Sequence, residues 1–367
     1  MKILALNPFH GGSHRAFLDG WMRHSTHEFH VLSLPARKWK WRMRHAPVEF
    51  ARQLEGVCLR EFDVLFSTDM LDLPTLRGLC PDTASLPAVV YFHENQLTYP
   101  VRTNAVQQQR DMHFAFTNLL TAASANRTWF NSKWHLRSFL DAAAEWIKRF
   151  PDFQPDHLLH AIEGRADVFH PGIDPIEPAE CREPGPLRIA WVSRWEFDKN
   201  PEVFFDALRI VKQRGVEFRL FVFGESYGEQ PECFARAASE FADNIDHWGF
   251  AKDREGYANG LRQCDVVVST ALHEFFGLAI VEAVSAGCYP LVPQTLAYPE
   301  VLRDVVSEFH LNTPESLADQ IVHRAQTTAD NENVNQARTL SRRVSRYSWP
   351  EVAPRLDENI LLSLDNT

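Results

Sequence analysis

The sequence predicts an α/β protein built as two doubly wound domains, and three observations predict it. The chain has 367 residues, which at about 150 residues per domain points to two. Short apolar runs alternate with longer amphipathic segments, the pattern of parallel βαβ units with helices on both faces of a sheet. A stretch with five prolines (Pro171, Pro175, Pro178, Pro184 and Pro186) interrupts that alternation, which then restarts.

In order, Lys2–Leu6, Phe29–Leu34, Asp63–Thr68, Ala88–His93 and Thr128–Asn131 read as strands of the first domain. Between them Ser13–His24, Val48–Arg60, Gln107–Ala123 and Lys133–Arg149 read as helices. Proline cannot donate to a strand ladder and resists continuing a helix, so residues 171–186 are expected to be an interdomain linker. In the second domain Leu187–Ser193, Phe218–Gly224, Asp246–Gly249, Asp265–Thr270 and Cys288–Val292 read as strands. Asn200–Arg214, Pro231–Ala242, Lys252–Gln263, Leu278–Ala286 and Glu315–Ala329 read as helices, with a final helix from Trp349 to Leu362. The expected bounds are residues 1–170, linker 171–186, residues 187–346 and a last segment 347–367. Two such domains facing one another across a cleft would bind ligands outside the carboxyl ends of their strands.

Composition narrows the class. Hydrophobic residues make up 45% of the chain and aromatics 12%, enough for packed cores, so disordered, collagen-like and coiled-coil readings fall away. No apolar run approaches the roughly 18–20 residues that span a bilayer, so no membrane partner is expected. Met1–Leu6 has neither a basic leader nor a cleavage site, and a reducing cytoplasm is the expected compartment. The six cysteines, Cys58, Cys80, Cys181, Cys233, Cys264 and Cys288, form no CxxC pair. They fit core thiols better than a zinc framework or a disulfide scaffold. The net charge of −10 argues against a nucleic acid until its distribution is read. Residues 1–170 carry 19 Lys and Arg against 17 Asp and Glu, whereas residues 171–367 carry 19 against 31. Twelve of the 16 histidines lie in the first part. The two parts therefore suit different partners, or differ by compositional drift alone.

Four motifs follow strands and carry chemistry. His10-Gly11-Gly12-Ser13-His14 follows the first strand. Its glycines allow a sharp turn and close approach of a ligand, with Ser13 expected as the helix N-cap. A helix N-terminus there suits an anion, or the motif is a plain turn; it is not GxGxxG, so a nicotinamide cofactor is poorly supported. Tyr91-Phe92-His93-Glu94-Asn95-Gln96 closes a strand, where His93 could orient a hydroxyl, shuttle a proton or simply rim the domain. Arg194 and Lys199, in the loop Ser193–Pro201, could neutralise a diphosphate or be solvated loop cations. The fourth motif, His273-Glu274-Phe275-Phe276-Gly277-Leu278-Ala279-Ile280-Val281-Glu282-Ala283, sets two glutamates with seven residues between them across a glycine turn. Carboxylates accept hydrogen bonds from sugar hydroxyls. Glu282 has apolar neighbours on its helix, where an unpartnered carboxylate is costly, so a bound partner is expected for it.

The Arg194…Lys199 pair followed by Glu274 and Glu282 resembles the retaining GT-B glycosyltransferases of family 4. The early Gly-Gly loop, His93 and the Tyr347-Ser348-Trp349 segment fit too, so the resemblance spans essentially the whole chain. It implies two Rossmann-like domains, with the last helix crossing back to the first. It implies that Arg194 and Lys199 bind the donor diphosphate and that Glu282 binds the ribose hydroxyls. Glu274, with Phe276, Gly277 and Leu278 beside it, would contact the donor, Gly11 and Gly12 would lie near the phosphates, and His93 would sit by sugar and acceptor. His93, Arg194, Lys199 and Glu274 would then form the catalytic set.

Three stretches are similar to a narrower branch, the mannosyltransferases that act on queuosine in tRNA: Asn7–His14, Leu34–Arg42 and Phe92–Pro100. That branch implies transfer of mannose from GDP-mannose onto queuosine in the anticodon of tRNA(Asp), with Glu94 and Asn95 near the acceptor. The run Arg37-Lys38-Trp39-Lys40-Trp41-Arg42-Met43-Arg44 gives this physical support. Its five cations can neutralise phosphates, and each exposed tryptophan that stacks on an unpaired base is worth about 1–3 kcal/mol. The tryptophans could equally be core anchors. Arg102, Arg110, Lys133 and Arg137 would extend the patch if they share its face.

No side chain stands at a plainly nucleophilic position, and the family implies front-face transfer. No cofactor or metal is expected, since no Asp-x-Asp sits at a suitable strand end. Rival readings are a family-4 transferase using another nucleotide sugar and a lipid, glycan or small-molecule acceptor, and an inactive nucleotide-sugar or RNA binding module. The complete Arg–Lys–Glu–Glu set opposes the second. A phosphorylase is opposed by the want of a lysine context for pyridoxal phosphate.

Overall fold

A computed structural model of the protein describes residues 1–99, 105–180, 182, 184–225, 230–327 and 333–362, with the backbone alone for residues 105–111 and 333–334. The chain forms two compact units, Met1–Gly172 with Trp349–Thr367, and Ile173–Ser348. Among the described residues no helix is long and apolar enough to cross a membrane.

The first unit contains β1 (Lys2–His10), α1 (Gly12–His24), β2 (Glu28–Pro35), α2 (Trp39–Gln53), β3 (Val64–Thr68), α3 (Leu73–Leu79), β4 (Ala88–Phe92), α4 (Ala105–Ser124), β5 (Arg127–Phe130), α5 (Lys133–Ile147), α6 (Asp156–Glu163) and β6 (Ala166–Val168). Its six-stranded sheet runs β2-β1-β3-β4-β5-β6, with every pairing parallel. Successive strand residues point to opposite faces, and here both faces are buried. Leu4, Leu6, Leu65, Val90, Phe92 and Phe130 pack with Phe50, Leu73, Leu119 and Phe139 on one side. Ile3, Ala5, Phe66, Val89, Tyr91 and Trp129 pack on the other with Phe17, Trp21 and the C-terminal helix Trp349–Leu362. That last helix returns to the first unit, as the resemblance implies, and completes one of its cores.

Its seat has two parts. The Trp349 ring lies so close to two glycines that a Cβ on Gly20 would come within 2.0 Å of it, and one on Gly172 within 2.3 Å. The buried Asp357 carboxylate accepts from Trp21 Nε1 (2.7 Å), Ser25 Oγ (2.7 Å), Thr26 N (2.8 Å) and Thr26 Oγ1 (3.1 Å).

The second unit contains β7 (Leu187–Val192), α7 (Pro201–Gln213), β8 (Phe218–Phe223), α8 (Glu232–Glu240), β9 (Ile245–Gly249), α9 (Arg254–Gln263), β10 (Val266–Val268), α10 (Leu278–Ser285), β11 (Tyr289–Leu291), α11 (Tyr298–Val301), α12 (Pro314–Thr327) and α13 (Asn333–Val344). Its five-stranded parallel sheet runs β11-β10-β7-β8-β9 around one core.

Several expectations change. The helix read at Val48–Arg60 is α2, which starts nine residues earlier at Trp39 and takes in most of the cationic run. Trp39, Met43, Ala46, Pro47 and Phe50 recur at helical spacing and turn inward, and Pro47 is carried inside the helix. The proline-rich stretch is not a free linker, because Ile173 and Ile176 are buried in the second core and Ile173 bridges to Ser348. Residues 181 and 183 of that stretch, Cys181 among them, lie outside the described residues, as do residues 328–329 at the end of the helix read at Glu315–Ala329. Of the other cysteines, Cys233, Cys264 and Cys288 are buried, Cys80 is half-buried and Cys58 is exposed, all as free thiols. The elements β6, α3, α6, α11 and α13 have no counterpart in the sequence reading.

The Asp357 cluster sets a stability expectation. Burial alone would raise this carboxyl, but the donors of Ser25, Thr26 and Trp21 hold it below the usual range. Its stabilisation is therefore present above the unfolded pKa and lost as pH falls through the folded one. In urea unfolding at neutral pH, Asp357→Ala should lower stability by about 2–3 kcal/mol, and the gap to the parent should narrow below about pH 3.9.

Candidate active site

In each sheet the strand order reverses once, between β1 and β3 in the first and between β7 and β10 in the second. A doubly wound sheet opens a crevice at that point, outside the carboxyl ends. All four chemistry-bearing motifs leave strands at this edge.

In the second unit the loops after β7 and β10 are stitched together. Thr270 Oγ1 donates to the Lys199 carbonyl at 2.8 Å, and the Leu272 N–H donates to the Asp198 carbonyl at 2.8 Å. Lys199 is only 8% exposed. Its Nζ donates to the His273 carbonyl at 2.9 Å and to Glu274 Oε2 at 3.3 Å, with Asp198 Oδ2 at 3.4 Å. Arg194 is exposed, paired with Glu196 at 3.1 Å and 3.9 Å from Asp198. The structure thus brings Arg194, Lys199 and Glu274 together around Asp198, a buried carboxylate that the sequence reading passed over although it lies between the two cations.

Glu274 Oε1 accepts the Gly277 N–H at 3.2 Å. Burial pulls its pKa upward, but the Lys199 charge and hydrogen bond outweigh that and hold it below the usual value. His273 is lowered to about 4 by burial and by Lys199, so its ring is neutral at pH 7. Gly277 is the residue before α10 with φ +91°, and a Cβ there would stand 2.9 Å from the Tyr298 ring, so glycine is needed on both counts. Phe276 is buried edge-on against Tyr347, and Leu278, half-buried, opens α10.

Glu282 differs from expectation. Its partner lies within the protein, because Arg254 Nη1 donates to Oε1 at 2.7 Å and the Tyr257 hydroxyl donates to Oε2 at 3.3 Å. Both come from α9, which sequence spacing does not connect to α10.

In the first unit, Gly11 and Gly12 turn the chain from β1 into α1. Gly12 has φ +52°, and a Cβ on Gly11 would lie 2.3 Å from that of Ala36. Gly11, not Ser13, stands at the N-cap, and no side chain caps the helix, which leaves its first N–H groups available to an anion. His93 follows β4, with its ring 4.1 Å from that of His14 and 4.7 Å from that of Tyr91. Burial drives His93 well below its ordinary pKa, reinforced by His14 and His135, and burial lowers His14 to about 3. Both rings are neutral at physiological pH. His14 Nδ1, His93 Nε2 and Asn95 Nδ2 are buried and meet no protein partner. Asn95 spends its oxygen on the turn, accepting from the N–H groups of Leu97 and Thr98, each at 3.0 Å. Glu94 is half-buried beside it.

Asp69, after β3, is a further residue the sequence reading missed. It is 1% exposed and accepts the His93 N–H at 2.9 Å, which fixes the backbone from which His93 projects. Burial raises its pKa well above the usual value, and Glu94 adds to the rise. Its signal was available, since it is a polar residue closing an apolar strand, as His93 is.

The cationic run divides by helical geometry. Arg37, Lys38, Trp41 and Arg44 are exposed, and Lys40 is half-buried. Trp41 is 57% exposed and stacks on His45 at 4.9 Å. Trp39 packs inward on a cluster with Met43, Met70 and Phe114. Arg42 is buried and donates from Nε to the Pro35 carbonyl at 2.9 Å, which takes it off the exposed face. One tryptophan is thus an anchor and one is presented to solvent. Lys133, Trp134 and Arg137 are exposed at the start of α5, which leaves β5 at the same sheet edge. Arg102 and the side chain of Arg110 lie outside the described residues. No group of three or more His, Cys, Asp or Glu side chains among the described residues is arranged to hold a metal.

Comparison with known proteins gives the following. Residues 2–173 match the model described as tRNA-queuosine alpha-mannosyltransferase N-terminal, and residues 175–339 match glycosyl transferases group 1. A tRNA-queuosine alpha-mannosyltransferase of Drosophila melanogaster is 38% identical over 311 residues, covering 82% of this chain and 81% of that protein. A GDP-mannose:cellobiosyl-diphosphopolyprenol alpha-mannosyltransferase of Xanthomonas oryzae pv. oryzae is 26% identical over 67% of this chain and 65% of its own. Among solved structures, the sucrose-phosphate synthase of Thermosynechococcus elongatus superposes with a TM-score of 0.71 at 12% identity, with each chain fully covered. That likeness is one of fold, the two-domain GT-B architecture.

Removing the Lys199 ammonium leaves Asp198 and Glu274 without their shared cation. Lys199→Met should lower unfolding free energy by about 3 kcal/mol at pH 8. In the parent Glu274 is held below its ordinary pKa, so that stabilisation is kept down to about pH 4.3 and lost below it; in the variant the buried Glu274, without its cation, takes up a proton at higher pH and is relieved by it. The difference in urea midpoint should therefore shrink as the pH is lowered from about 8 towards about 4.

Proposed function

The chain belongs to the tRNA-queuosine alpha-mannosyltransferase family of glycosyltransferases, and on that premise we propose that it transfers mannose from GDP-mannose, with retention, onto queuosine in the anticodon of tRNA(Asp). The observation that carries the acceptor reading is the first unit, which matches along residues 2–173 the N-terminal model of enzymes named for that acceptor. GDP-mannose as donor is supported by the Xanthomonas relative, which is named for it.

The donor belongs to the second unit in this reading. Arg194 and Lys199 meet the charge of the diphosphate, the first by a planar fork and the second as a point charge. Glu274, held ionised by Lys199, accepts from the sugar hydroxyls, and Glu282 accepts from the ribose. Phe276, Gly277 and Leu278 bring the first turn of α10 to the donor. Gly11 and Gly12, with the uncapped N-terminus of α1, meet a phosphate.

In the chemical step the anomeric C–O bond to the phosphate breaks, and its electron pair leaves on the β-phosphate oxygen of GDP. The acceptor oxygen attacks from the same face, and its proton passes to that departing oxygen. Arg194 and Lys199 stabilise the charge that develops there, and the reading invokes no metal. His93, kept neutral by burial, serves beside the reacting sugar as a hydrogen-bonding group rather than as a cation. Glu94 and Asn95 lie on the same loop and would meet the acceptor nucleoside. Arg37, Lys38, Lys40 and Arg44 would hold RNA phosphates, with Trp41 as a stacking surface for an unpaired base. Arg42 and Trp39 support that helix from within.

Incubation of the protein with queuosine-containing or queuosine-lacking tRNA and either GDP-mannose or UDP-glucose, read by nucleoside mass spectrometry, tests this. A hexose should appear on queuosine from GDP-mannose alone; its absence with every donor would overturn the acceptor assignment. Separately, replacing Arg37, Lys38 and Arg44 together by Ala should flatten the log–log salt dependence of tRNA binding by about 0.7–0.9 for each phosphate no longer neutralised, with GDP binding unchanged.

A further inference from the structure

Glu282 sits on α10 among apolar neighbours, but its carboxylate is held by another helix. Arg254, the first residue of α9, places Nη1 2.7 Å from Oε1, and Tyr257, one turn on, brings its hydroxyl to 3.3 Å from Oε2. The second arm of the guanidinium, Nη2, donates to the Asp174 carbonyl at 2.9 Å. Its plane is further held over the Tyr257 ring, with 5.5 Å between the guanidinium carbon and the ring centroid. Arg254 is thus fixed at both ends of its fork. A carboxylate offers about four lone-pair positions, and the two protein donors take one on each oxygen. One acceptor position per oxygen remains, enough for the two hydroxyls of a vicinal diol.

We propose that Arg254 is a positioning residue of the donor site, holding the Glu282 carboxylate ionised and oriented so that both its oxygens accept from the ribose hydroxyls of the nucleotide. This rests on the reading of Glu282 as the ribose acceptor and adds the group that makes it competent. The electrostatics point the same way. Burial raises the Glu282 carboxyl, Arg254 opposes the rise most strongly, Tyr257 opposes it through its hydrogen bond, and the Asp174 carboxylate adds to it. Without Arg254 the group would hold its proton to higher pH. A protonated carboxyl turns one acceptor into a donor, so diol binding would weaken as pH falls.

Calorimetric binding of GDP and of its 2′,3′-dideoxy analogue to the parent, Arg254→Met, Arg254→Lys and Glu282→Gln separates the possibilities. The parent should prefer GDP, and Arg254→Met should lose roughly tenfold in GDP affinity while binding the dideoxy analogue as before. That loss should grow from about pH 8 to about pH 6. Arg254→Lys, which keeps the cation, should recover much of the affinity and most of the pH independence. A purely structural role for Arg254 would weaken both ligands equally, and that outcome overturns the proposal, as does unchanged GDP binding by Arg254→Met. If Glu282→Gln loses the preference for GDP but Arg254→Met keeps it, only the positioning role falls. If Glu282→Gln keeps the preference, the ribose reading itself falls.

Discussion

The second unit depends on one buried ammonium. Lys199 Nζ lies within 3.4 Å of a main-chain carbonyl and of two carboxylates, those of Asp198 and Glu274. A charge so placed would be costly alone; paired, it joins the loop after β7 to the loop after β10 where the strand order reverses. The consequences run outward from it. Glu274 stays ionised because of Lys199, and its other oxygen receives the Gly277 N–H, so the ion pair also sets where α10 begins. The start of α10 in turn fixes how Glu282 meets Arg254 and Tyr257 on α9.

The first unit uses the opposite strategy. Its central histidines are uncharged, since burial keeps His14 and His93 neutral, and burial raises the Asp69 carboxyl as well. Charge is moved to the rim, on Arg37, Lys38 and Arg44. Neutral buried histidines beside a cationic rim fit an acceptor that is a polar nucleoside carried on a polyanion. The net charge of −10 is therefore a sum over unlike parts and speaks to neither partner.

Much of this was legible in the sequence. The two-domain α/β architecture and all five strands read in the second half follow from strand-helix alternation, which doubly wound sheets impose strongly, whereas the return of the final helix was implied by the family resemblance alone. Lys199, Arg194 and Glu274 were legible because loops after strands in such sheets carry ligands. What was not legible depends on tertiary packing. The start of α2 was hidden because Pro47 looks like a breaker in sequence, although Ala46, Pro47 and Phe50 turn it inward. Arg42 and Trp41 are neighbours in sequence, and only the helix phase turns one in and the other out. Ile173 and Ile176 look like linker residues until the core that takes them is seen. Glu282 was read as awaiting a partner because Arg254, 28 residues away, reaches it only through the packing of α9 beside α10.

The most direct test of the central claim, that the loops joined by Lys199 form a seat for a nucleoside diphosphate, is the calorimetric affinity ratio of GDP to GMP in the parent, in Lys199→Met and in the exposed-site variant Arg194→Met. Two charge-assisted hydrogen bonds to the second phosphate should make GDP roughly 100-fold tighter in the parent, with the ratio falling about tenfold in either variant. Equal binding of GDP and GMP by the parent, or a ratio that neither substitution changes, would contradict it.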